Sequence, residues 1–101
     1  MVYNKLVRDK IPKIIEANGE KPNIRILGQE EYTHALESKL DEEVMEFHKE
    51  KNLEELADIL EVVYALAEDL GGSTNDLEKV YRNKHEKRGG FRERIFLISK
   101  K

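Results

Sequence analysis

Apolar positions recur at helical spacing through the middle of the chain. Residues advance about 100° per position around a helix, and on that wheel Tyr32, Leu36, Leu40, Val44 and Phe47 share one stripe. The pattern predicts a helix from about Glu30 to Glu50. A broader arc of Leu56, Ile59, Leu60, Val63, Leu66, Ala67 and Leu70 predicts a second, from about Leu53 to Leu70, with Asn52 as its cap. Upstream, Asp9 is placed to cap a short helix that tolerates Pro12 in its first turn. Ile11, Ile14 and Ile15 line one face of it until Asn18-Gly19 stops it. Downstream, Gly71-Gly72 ends the long helix, and Ser73 or Thr74 caps a fourth that reaches about Lys87 before Arg88-Gly89-Gly90 breaks the pattern. Ile24-Arg25-Ile26-Leu27 and Ile95-Phe96-Leu97-Ile98 read as short strands or extended pieces that could pair. The expected fold is all-α: a bundle of about four helices built on a hairpin, with short strands at 24–27 and 95–98.

That bundle leaves apolar surface over. Val62 and Ala65 lie beyond the main arc of the third helix, and Met45 lies opposite the stripe of the second. One hairpin and a short fourth helix do not cover all of this, whereas four-helix packing across a homodimer does.

Length and composition narrow the class. A chain of 101 residues is expected to form one domain, 1–101, with a modest core. Charged residues make up 39% of it, yet the net charge is only −3, so no basic field advertises a nucleic acid polymer as partner. There is no cysteine, hence no disulfide framework or thiolate chemistry. No apolar run approaches the ~18 residues of a membrane span, and the first ten residues lack the apolar region of a signal peptide. A cytoplasmic location is expected, with no membrane partner.

The candidate chemistry lies in four acids arranged in mirror order about the hairpin turn. Glu43 and Glu46 sit three apart before it, and Glu55 and Asp58 sit three apart after it. Glu46 and Glu55 are equally distant from the turn, as are Glu43 and Asp58, so antiparallel helices would bring them to two matching heights. On the helical wheel Glu43 falls near the middle of its apolar stripe, Glu55 inside the other arc and Asp58 at its edge. A carboxylate in such a position is costly unless paired or bound to metal. With 21 acidic residues in the chain either pair alone would mean little. The mirrored, inward-turned set suits a hard divalent cation.

Cations flank these acids. Lys5, Arg8 and Lys10 cluster near the start, Arg82, Lys84, Lys87 and Arg88 lead into Gly89-Gly90, and Lys39 lies one turn before Glu43. Carboxylate-held metal ringed by Lys and Arg is the arrangement that polyphosphate chemistry needs. His34, His48 and His85 share no metal-ligand spacing, and neither a Ser-His-Asp arrangement nor a P-loop is present.

Glu43-Val44-Met45-Glu46 followed by Glu55-Leu56-Ala57-Asp58 resembles the ExxE and ExxD hallmark of the all-α nucleoside triphosphate pyrophosphatases, the MazG-like and phosphoribosyl-ATP pyrophosphohydrolase-like superfamily. The wider context, KLDEEVMEF and LEELADILEVVYAL, looks like its two core helices. YNKLVRDKIPKII and KRGGFRERIFL resemble a small branch of predicted pyrophosphohydrolases. The resemblance implies Mg²⁺, or Mn²⁺ in its place, held by Glu43, Glu46, Glu55 and Asp58. It also implies water attack between the α and β phosphates of a nucleotide, with activation by metal or carboxylate. Lys39, Asn83, Lys84, Lys87 and Arg88 are candidate nucleotide contacts by charge and placement. One departure is that only eight residues separate Glu46 from Glu55, fewer than in many relatives, which leaves less material there to recognise a base. Two other readings stand beside this one: phosphoribosyl-ATP cleavage, and a non-catalytic acidic helical regulator or nucleotide-binding module.

Overall fold

The computed structural model describes residues 2–101, which form four helices: α1 (Ile11–Ala17), α2 (Gln29–Lys49), α3 (Leu53–Asp69) and α4 (Thr74–Arg88). The fold is all-α, and every helix boundary falls within two residues of the position read from the sequence.

Local chemistry explains most of these ends. Asn52 is extended and its side chain accepts from the Glu55 amide at 2.9 Å, which starts α3 after only three intervening residues. Gly71, at φ 92°, takes the left-handed conformation that turns the chain away from α3. Ser73 is the cap of α4, in a reciprocal pair with Asp76: its hydroxyl accepts from the Asp76 amide at 3.0 Å and its own amide donates to the Asp76 carboxylate at 2.9 Å. At the start of α1 the expectation fails. Lys10, not Asp9, occupies the cap position, with helical φ and ψ of −88° and −6°, and no side chain caps the helix. The Ile11 amide already bonds the Arg8 carbonyl at 3.0 Å, so a backbone turn does the work expected of Asp9.

The helices α2 and α3 pack antiparallel as the core hairpin. Their register is pinned at the open end, where the Asp69 carboxylate accepts from Gln29 at 2.6 Å and from Thr33 at 2.7 Å. Leu36 and Val62 are buried at the seam, while Leu40, Phe47, Ile59 and Leu66 are half-buried. The burial of Val62 corrects the expectation from helical periodicity, which sets it outside the main arc. The seam follows the stripe Glu55, Asp58, Ile59, Val62, Leu66 and Asp69, because the arc of α3 is wide enough to admit more than one packing direction. Leu56 and Leu60, members of that arc, remain 44% and 47% exposed. A third layer begins at α4, joined to α3 by the Tyr64 hydroxyl, which donates to Glu78 at 3.0 Å.

No strand forms among the described residues. Segments 24–27 and 95–98 have no regular structure and no strand pairing, with Ile26 88% and Ile98 89% exposed. An isolated two-stranded pair without a face to pack on is marginal, and neither segment has one here. The chain is accordingly long, 61 × 32 × 23 Å, with a radius of gyration of 17.7 Å against about 13 Å for a compact chain of this size. No described helix is long and apolar enough to cross a membrane.

Candidate metal centre

The hairpin brings three of the four mirrored acids together. Glu43 of α2 and Glu55 and Asp58 of α3 each offer a carboxylate oxygen, and these oxygens lie within 4.8 Å of one another. Three hard oxygen donors at that separation could hold a metal ion, and the donor set fits Mg²⁺, Mn²⁺ or Ca²⁺ rather than a thiolate-seeking metal. Glu46 is half-buried one turn beyond Glu43 and stays outside this group, although its charge reaches Glu55.

The enclosure differs along the cluster. The Glu43 side chain keeps 12% of its exposure and that of Asp58 keeps 40%. Glu55 lies in the first turn of α3, where the helix dipole favours an anion. Its carboxyl is nevertheless pushed above its ordinary value, first by loss of solvent and then by repulsion from Asp58, Glu46, Glu43 and Glu50. A bound cation would relieve that repulsion.

Basic side chains pair with these acids and with Glu42 beside them. Lys39, 17% exposed, stands 3.5 Å from both Glu42 and Glu43. Lys5 approaches Glu42 at 3.5 Å, and the Arg8 guanidinium donates to Asp58 at 2.6 Å. Of the candidate nucleotide contacts, the structure thus joins Lys39 to the cluster. It places Asn83, Lys84, Lys87 and Arg88 on the exposed second half of α4, none of them in an ion pair with the acids among the described residues. Lys84 and Arg88 instead border a recess of about 430 Å³ with Tyr81, His85 and Phe91. In the sequence Lys5 and Arg8 fall among the cations flanking the acids, with no partner assigned to either. The Arg8–Asp58 contact spans fifty positions, and no periodicity signals it.

No family model matches the chain, and no solved structure matches it. Over 41 residues it is 58% identical to an uncharacterized protein of Mycolicibacterium smegmatis. The matched stretch covers 41% of this chain and 42% of that protein, so the chain spans under half the length of the relative it matches.

Proposed function

We propose that the protein is a Mg²⁺-dependent nucleoside triphosphate pyrophosphohydrolase, cutting between the α and β phosphates. The observation that carries this reading is the convergence of Glu43, Glu55 and Asp58 within 4.8 Å, on a hairpin with a mirrored ExxE and ExxD pair. Bound there, Mg²⁺ or Mn²⁺ would polarise phosphate oxygens and lower the pKa of water.

The side chains divide the remaining work. Glu43, Glu55 and Asp58 would hold the cation, and Lys39 orients Glu43 through its 3.5 Å contact. Glu46, outside the three-member group, is the carboxylate free to take the proton from the attacking water. The water oxygen bonds to the α phosphorus, the α–β bridging bond breaks, and the bridging oxygen leaves with pyrophosphate. Lys84 and Arg88, beside the aromatic rings of Tyr81 and Phe91, supply charge and stacking surface for a nucleotide. The assay is pyrophosphate release across canonical and damaged nucleoside triphosphates and phosphoribosyl-ATP, with and without Mg²⁺. Metal-dependent release from the triphosphates is expected. Release from phosphoribosyl-ATP alone would move the assignment to histidine biosynthesis, and nucleotide binding without release would make the protein a non-catalytic module.

The working unit we infer is a homodimer. Leu53, Leu56 and Leu60 on α3 and Val80 on α4 are all at least 44% exposed. A single chain does not cover that surface, and packing two hairpins face to face would. Light scattering should return twice the 11.8 kDa chain mass. A monomer at micromolar concentration would contradict the inference.

A further inference from the structure

The N-terminal arm, residues 2–10, has no helix or strand of its own. Two ion pairs nevertheless bind it to the hairpin beside the acidic cluster. Lys5 grips Glu42, which is not one of the three converging acids, whereas Arg8 grips Asp58, which is. The two pairs therefore have different fates when a cation arrives. Glu42 keeps its partner, but Asp58 must share its charge between a divalent ion and a guanidinium.

We propose that Arg8 is a resident counter-cation of the metal centre, which a divalent cation displaces from Asp58 and which then binds the phosphate chain of the substrate. The inference rests on the pyrophosphohydrolase reading and adds a residue that it did not contain. Three features support the exchange. The Arg8 side chain is 53% exposed and is held by one carboxylate, so the pair is weak enough to yield. Leu6, half-buried two residues away, and the Lys5–Glu42 pair, which the cation does not contest, keep the released Arg8 within about 10 Å, the extended span of three residues. Arg8 stays at the site after release. The planar guanidinium matches phosphate oxygens in a two-bond fork that an ammonium cannot reproduce. In the metal-free state Arg8 offsets repulsion among the acids; in the loaded state it would offset charge on the substrate.

The test is a pair of titrations on the full chain, each compared with Arg8→Gln, Arg8→Lys and the exposed α1 control Lys13→Gln. Free Mn²⁺ is followed by electron paramagnetic resonance, and inorganic tripolyphosphate is then added to the Mn²⁺-saturated protein in a calorimeter. Removing a unit positive charge beside the site should tighten Mn²⁺ binding about five-fold. Loss of the fork should weaken tripolyphosphate binding about ten-fold or more. Arg8→Lys should keep Mn²⁺ affinity near wild type and regain part of the tripolyphosphate affinity, which separates an electrostatic role from a folding defect. Lys13→Gln should match wild type in both. Arg8→Gln equal to wild type in either titration, or looser for Mn²⁺, overturns the proposal while leaving the metal centre standing. Wild-type protein that binds no Mn²⁺ overturns the centre itself, and this proposal with it.

Discussion

Asp58→Asn should lower turnover of a nucleoside triphosphate by on the order of 100-fold or more, without loss of the helical fold. The substitution keeps the shape of the side chain and removes the anionic oxygen that joins Glu43 and Glu55 in the converging set. The expected size is that of removing one strong electrostatic interaction with the transition state. Stability should change little, because the substitution breaks only a half-exposed ion pair, that with Arg8. Lys84→Ala or Arg88→Ala, in the recess on α4, should act mainly on KM. Steady-state kinetics with circular dichroism on the same samples makes the comparison. Asp58→Asn within a few-fold of wild type would remove Asp58 from the catalytic site.

The second large effect is on stability. A cation that binds the folded hairpin alone stabilises it by mass action, so Mg²⁺ at ten times its dissociation constant should raise the melting temperature by about 5 °C or more. Glu43→Gln should abolish most of that rise, since the Glu43 side chain is far more enclosed than that of Asp58 and its charge is correspondingly less screened by water. Glu37→Gln, exposed on α2, should leave it intact. The same electrostatics has a pH signature in metal-free protein. The Glu55 carboxyl is raised in the folded chain above its ordinary 4.5, so the folded state holds that proton more tightly than the unfolded one. Its stability contribution is therefore fully present below about 4.5 and is lost as pH rises through the folded value. Glu55→Gln should accordingly stabilise metal-free protein at pH 7, with a gain that shrinks as pH falls through that window. A gain that grew toward acid pH would mean the carboxylate is stabilised, not strained, by its neighbours.

How much of the fold and site is legible in the chain depends on distance along it. Helix ends set by neighbouring residues, such as Asn52 before α3 and Ser73 with Asp76 before α4, are legible. So is the antiparallel register: Gln29 and Thr33 meet Asp69 in nearly the same alignment of the two helices that sets Glu43 opposite Asp58. The direction in which α3 packs is not legible. Its apolar residues cover so much of the helix that periodicity centres the arc on Leu60 and its neighbours and sets Val62 outside, whereas contact with α2 buries Val62. The runs 24–27 and 95–98 have strand composition without a partner, and composition alone cannot supply one. Asp9 fails as a cap because Lys10 is already helical. The pairing of Arg8 with Asp58 is not legible, because an irregular arm carries Arg8 to α3 and amphipathic patterns describe faces of regular elements.

We propose above that the converging acids direct cleavage to the α–β linkage. Single-turnover reactions of a nucleoside triphosphate with Mg²⁺, resolved by ion-exchange chromatography, test it most directly. Nucleoside monophosphate and pyrophosphate should appear together from the first time point, with no diphosphate between them. Nucleoside diphosphate and inorganic phosphate as the first products would contradict it, even if the metal centre at Glu43, Glu55 and Asp58 proved real.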